Sequence, residues 1–273
     1  MKRLILFALA GSISLGAVLA AAEEPRGTLT GRLLMKGGKP MAGGTVFLFA
    51  AEAGPPPAPE RYWRVPDEVM TLDSAGRFTM ELVPGSYHVG GVKREKEQEI
   101  GPPRAGDHFL TSRDEKGEPR PFTVRGGETT DIGSLGEAVP FDPALTRKRE
   151  GTTGIEGTIL DAAGKPVAGA LVFAYPNPDM SGKPLFVSDR TGADGRYLLR
   201  VSEGGRYFLK VRDVYGGGPP VQGAVMGAYG DGNPLPLAVK TGVVTPGGDI
   251  RVIRFTRHGR KAGPDPVDPP GTE

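Results

Sequence analysis

The chain has 273 residues, with 34 basic and 32 acidic side chains and a formal net charge of +2. That leaves no basic face for nucleic acid. Cysteine is absent, which excludes a disulfide scaffold, a lipoprotein attachment cysteine and covalently held haem. The 43 glycines and 27 prolines separate short alternating apolar runs, a pattern of many strands and many turns.

Lys2 and Arg3 open the chain, an apolar stretch runs from Leu4 to Leu19, and Ala20-Ala21-Ala22 offers a cleavage site before Glu23 and Glu24. The run is short and broken by Gly and Ser, so residues 1–22 read as a secretory signal peptide rather than a membrane span. No other long apolar run follows, and no membrane span is expected after cleavage. Export without disulfides points to a bacterial envelope, either the periplasm or the cell surface.

The first strands come from "GTLTGRLLM" at 27–35, where Leu29, Gly31 and Leu33 alternate with Thr28, Thr30 and Arg32. A Gly-Lys-Pro turn at 38–40 leads into an apolar strand at Thr45–Phe49. Proline presets φ and lacks a donor, so Pro40 belongs at a strand entry. "LDSAGRFTMEL" at 72–82 then gives a hairpin with Gly76 at the turn and Phe78, Met80 and Leu82 on one face. Tyr87 lies in the next strand, followed by Gly101-Pro102-Pro103 and the closing "PFTVRGGETTDIGSL" at 121–135.

The same plan then recurs. "GKPVAGALVFAY" at 164–175 shares seven of twelve positions with "GKPMAGGTVFLF" at 38–49. Ile155, Gly157 and Ile159 alternate as Leu29, Gly31 and Leu33 do; Gly195 matches Gly76, Tyr207 matches Tyr87, and Gly218-Pro219-Pro220 matches Gly101-Pro102-Pro103. The expected organisation is a first unit at 27–140, a charged Gly/Thr-rich linker at 141–153, a second unit at 154–257, and a disordered Pro/Gly-rich tail at 258–273. The fold class is all-β: two tandem antiparallel β-sandwiches, each of about seven strands.

The order of a G-x-[LI] strand, a G-K-P turn, an [AG]-G-x-x-V-x strand, a D-x-x-G hairpin and a G-x-Y strand resembles the carboxypeptidase regulatory-like domain. It does so twice, over about residues 27–90 and 154–211. The resemblance implies a transthyretin-like (prealbumin-like), carbohydrate-binding-like fold in each unit, of a kind that occurs as an accessory module on many exported proteins.

Chemistry-bearing patterns are sparse. His88, His108 and His258 lie in separate segments without the His/Glu spacing of a zinc peptidase. His88 is expected to point away from the Tyr87 face, as a surface or partner-facing residue. His108 has Asp107 and Ser112 nearby, the one constellation a hydrolase could use. Asp73, Asp189 and Asp194 suit turn amides better than calcium. Gly216-Gly217-Gly218 runs into two prolines that remove the amides a phosphate nest needs. No enzyme, cofactor or metal is expected.

Binding is the remaining class. The loop "GPPPAPERYWRVPDEVM" at 54–70 makes the first unit's connection seven residues longer than the second's, and it carries Arg61, Tyr62, Trp63 and Arg64. Tyr, Trp and Arg dominate interface hot spots, so this loop could meet a protein partner, or its rings could stack on a polysaccharide. Equally, Trp63 could fold down over one end of the sandwich. Lys93–Glu99 reads as a solvated loop or short helix. Pro102, Pro103, Pro219, Pro220 and Tyr229, with Val221, Val225 and Met226 nearby, mark a second candidate surface that either meets a partner or packs against the neighbouring unit. The expected function is a non-catalytic exported scaffold that presents loops to an envelope or cell-surface protein.

Overall fold

The computed structural model describes residues 25–94, 100–147, 149–216, 218–230 and 233–256. The expected signal peptide at 1–22, the tail at 258–273 and most of the Lys93–Glu99 run lie outside the described residues.

In the first unit the strands are β1 (Gly27–Met35), β2 (Thr45–Ala50), β3 (Trp63–Arg64), β4 (Glu68–Thr71), β5 (Arg77–Leu82), β6 (Gly85–Lys93), β7 (His108–Thr111), β8 (Pro121–Val124) and β9 (Thr129–Pro140). A single turn of helix, α1 (Ala144–Arg147), leads to the second unit. There β10 (Gly154–Leu160), β11 (Leu171–Tyr175), β12 (Phe186–Val187), β13 (Arg196–Arg200) and β14 (Gly205–Arg212) are followed by β15 (Val225–Ala228), β16 (Pro236–Val239), β17 (Val244–Thr245) and β18 (Ile250–Arg254).

The pairings repeat strand for strand. β5 pairs β1 as β13 pairs β10, and β4 pairs β2 as β12 pairs β11. β6 takes β2, β7 and β8 as partners, and β14 takes β11, β15 and β16. The last strand closes each sandwich by running parallel to the first: β9 beside β1, then β17 and β18 beside β10. The sandwiches are otherwise antiparallel, as expected; the parallel pair arises because the last strand returns beside the first after a full circuit, where no hairpin joins them.

The buried faces follow the alternation. β5 buries Phe78, Met80 and Leu82 and exposes the residues between them, while β1 buries Leu29 and Leu33. These meet Val46, Leu48 and Val89 in the first core. The second core gathers Ile155, Ile159, Val172, Tyr197, Leu199 and Leu209. β11 is buried at all five positions, as an apolar run on both faces requires.

Matching details show that the duplication extends to single atoms. Gly76 and Gly195 have φ of 74° and 71°, and a Cβ on either would sit 2.6 Å from the Leu33 or Ile159 carbonyl oxygen. Only glycine fits such a turn. The Tyr87 hydroxyl donates to the Val83 carbonyl at 2.8 Å, and the Tyr207 hydroxyl to the Glu203 carbonyl at 3.0 Å. The units differ at their closing edge. β9 is continuous, whereas Pro246–Gly248 interrupts the second unit's last strand, and there the Tyr197 hydroxyl donates to the Gly248 carbonyl at 2.5 Å.

Candidate functional site

The long 54–70 connection does not project into solvent. Arg64 donates to the carbonyls of Ala50 at 2.6 Å, Pro55 at 2.7 Å and Gly54 at 3.2 Å, and pairs with Asp67 at 3.0 Å. One buried guanidinium therefore folds the proline loop back on itself, and burial lowers its pKa against the opposing pull of Asp67. Held in this way, β3 pairs antiparallel with β12, Trp63 opposite Val187 and Arg64 opposite Phe186. The Val65 amide adds a bond to the Leu185 carbonyl at 2.9 Å. The first unit thereby supplies the outermost strand of the second unit's sheet.

Side chains reinforce the joint. The Trp63 indole N–H donates to Asp189 at 2.8 Å, and the Arg200 guanidinium lies over the indole ring, 5.5 Å from its centroid. Arg200 Nη1 reaches the Pro59 carbonyl at 3.2 Å. Arg200 is 2% exposed; burial lowers its pKa while Asp189 and Glu60 raise it. Tyr62 packs edge-on against Phe186 at 5.3 Å within the second core. Phe141, from the connecting segment, meets both Trp63 (5.7 Å) and Phe109 (5.6 Å). Within the connecting segment Phe141, Thr146 and Thr153 are buried, while Asp142, Ala144, Leu145 and Arg149–Gly151 are exposed.

Several expectations are corrected here. Tyr62 and Trp63 are 4% and 7% exposed and Arg64 is buried, so neither ring offers a face to a sugar and none of the three is free for a partner. Trp63 covers the neighbouring sandwich rather than one end of its own. Arg61 alone of the four remains exposed. His88 is also buried, 6% exposed, rather than partner-facing. His108 and Ser112 are four residues apart along an extended segment, roughly 13 Å at strand rise. The Ser112 hydroxyl donates to the Arg120 carbonyl at 2.6 Å and accepts from the Val89 amide at 3.0 Å. Asp107 is occupied by the Arg104 amide at 2.9 Å and by Arg94 at 3.6 Å. These three residues form no Ser/His/Asp relay.

The aspartates follow turn chemistry. Asp73 accepts from the amides of Ala75 and Arg77 at 2.8 and 2.7 Å, and Asp194 from that of Arg196 at 3.1 Å. Among the described residues no group of three or more His, Cys, Asp or Glu is placed to hold a metal.

The two Gly-Pro-Pro turns have separate fates. Pro219 is exposed and Pro220 half-buried on the outer surface, while Val225 and Tyr229 pack into the second unit's own core. Gly101 stands against Tyr215 of the second unit, and Pro102 and Pro103 line a cleft of about 770 Å³ between the units. β13 contributes Arg196, Tyr197 and Leu198 to its lining, and Phe141, Asp189 and Arg190 line it as well. Arg104, Arg149, Arg190 and Arg196 contribute four guanidiniums, against the carboxylates of Glu156, Asp189 and Asp249. Each carboxylate is engaged: Glu156 with Arg149, Asp189 with the indole, and Asp249 with the Thr158 amide at 2.7 Å. Pro102 and Pro103 were marked in the sequence, but the arginines were not, since they come from three separate segments: Arg104, Arg149, and Arg190 with Arg196.

The fold class is an all-β protein of two sandwiches. No protein-family model matches the chain, and no curated protein matches it. Solved structures give distant likenesses. The Bacillus anthracis TIE protein is 14% identical over 84% of this chain, with a TM-score of 0.26. A streptococcal ancillary pilin is 13% identical over 85%, with a TM-score of 0.24. The shaft pilin SpaA of Lactobacillus rhamnosus GG is 12% identical over 86% of this chain and all of its own, with a TM-score of 0.23. The chain spans 34% and 63% of the first two. At these scores the likenesses carry nothing about what this chain does. No helix among the described residues is long and apolar enough to cross a membrane.

Proposed function

We propose that the protein is an exported, non-catalytic binding scaffold of the bacterial envelope or cell surface, built from two carboxypeptidase regulatory-like, transthyretin-like sandwiches. It holds a protein partner in the cleft between them. The observation that carries this reading is the β3–β12 pairing: it locks the two sandwiches edge to edge and so gives the cleft fixed walls. A preformed cleft avoids much of the ordering cost that weakens flexible binders. The signal-like N-terminus and the absence of cysteine support the envelope location.

The test is a crosslinking pull-down from native envelope fractions, with tagged full chain beside its Arg196→Glu variant. Arg196 is exposed, so the substitution leaves the fold intact. A defined protein captured by the wild type and lost with the variant is expected. Capture of nothing, or of the same set by both baits, overturns the reading.

A further inference from the structure

The cleft wall formed by β13 is an unfinished sheet edge. β13 ends its sheet and pairs only with β10. The ladder phase is fixed at both ends: the Ile159 amide donates to the Gly195 carbonyl at 2.9 Å, and the Val201 amide to the Thr153 carbonyl at 3.0 Å. Odd-numbered residues of β13 therefore spend their main-chain groups on β10, and even-numbered ones direct theirs away from it. Arg196 returns its amide to Asp194 and Arg200 lies under Trp63, which leaves Leu198 at the middle of the open edge, in the cleft wall.

Natural sheets blunt such edges with charge, with covering segments or with a partner. The far end of β13 is covered by the loop from the first unit. The near end carries Arg196, which is exposed and forms no ion pair with any described residue. Arg149 stands in the same cleft, engaged only in an exposed pair with Glu156, and such pairs are weak enough to exchange. The stiff Pro102-Pro103 turn lines the same cleft. An edge, a stiff turn in the same cleft, the Arg196 guanidinium and the exchangeable Arg149 together suit one occupant: an extended chain with carboxylates at alternate positions.

We propose that the cleft takes an extended acidic peptide segment, which adds as a strand to β13 at Leu198 while its carboxylates meet Arg196 and Arg149. Main-chain bonds would supply affinity and alternate side chains the selectivity, as in other strand additions. This rests on the binding-scaffold reading and specifies its ligand class.

The experiment is fluorescence polarisation of the full chain with a labelled heptapeptide alternating Glu and Val. Three control peptides accompany it: one with Lys in place of Glu, and two N-methylated at alternate amides, one on each edge. Expected results are saturable binding of the acidic peptide and about tenfold weaker binding in about 0.5 M salt. At least about tenfold loss is expected with Arg196→Glu and with methylation of the edge facing β13. Equal binding of the Lys peptide, or binding indifferent to methylation on either edge, overturns the proposal. If no peptide binds while the envelope pull-down still yields a partner sensitive to Arg196→Glu, the strand addition fails and the scaffold reading stands. If the acidic peptide binds as expected but the pull-down is empty, the strand addition stands and the envelope partner fails.

Discussion

Along β13, Arg196, Leu198 and Arg200 alternate with the core residues Tyr197 and Leu199, and on that period Arg200 belongs to solvent. It is instead the most buried arginine of the joint, because a loop of the other unit lies across it. His88 shows the same effect. Strand alternation points it away from the Tyr87 face, yet that second face is covered too, and its Nδ1 is buried without a hydrogen-bond partner. Burial lowers the His88 pKa below 6.5, the nearby Arg64 charge lowers it further, and the hydrogen bond to the Arg120 carbonyl opposes both. The folded state thus binds a proton less readily than the unfolded chain. The stability tied to neutral His88 is complete above the unfolded pKa of about 6.5, and is lost as pH falls through that value toward the folded one. Melting curves at pH 7.5 and 5.0 should show a fall in Tm on acidification that shrinks in His88→Phe. The Arg120 carbonyl keeps the Ser112 hydroxyl as donor in that variant, so the comparison stays clean. An unchanged fall would show that His88 does not carry it.

At the scale of elements, β3 is two residues long and has no counterpart in the second unit. Such a strand has little stability alone; it persists because Trp63, Phe141, Leu171, Phe173 and Val187 bury together around it. Full burial of one large apolar side chain contributes about 1.5–3 kcal/mol. Deleting Pro55–Arg61, which brings the connection down to the length of its counterpart, should withdraw β3 from β12. Hydrogen exchange would then accelerate at Phe186 and Val187 and in β11, with β1, β2 and β5 little changed, and cooperative unfolding should split into two steps. Unaltered protection in β12 would mean that β3 contributes nothing to the second sandwich. The strands, the Gly76 and Gly195 turns and the duplication were legible because each is written in local alternation and turn chemistry. The β3–β12 pairing was not, because two residues have no period and nothing near Trp63 names Val187 as its partner.

For the whole molecule, the joint makes the two sandwiches one body and turns their boundary into a cleft. The candidate residues sort accordingly. Tyr62, Trp63 and Arg64 build the joint, Pro102 and Pro103 line the cleft, and Pro219 lies on the outer surface. The arginines of the cleft converge only once the chain is folded, so no spacing in the sequence announces them. Trp63 is the single tryptophan of the chain, which makes its fluorescence a specific reporter of the joint. The direct measurement is its emission and acrylamide quenching in the wild type and in Asp189→Ala, a substitution made 126 positions away in the other sandwich. A blue-shifted, quench-protected emission that moves red and gains accessibility in the variant is expected. A solvent-like emission in the wild type, or one indifferent to Asp189→Ala, would contradict the joined architecture.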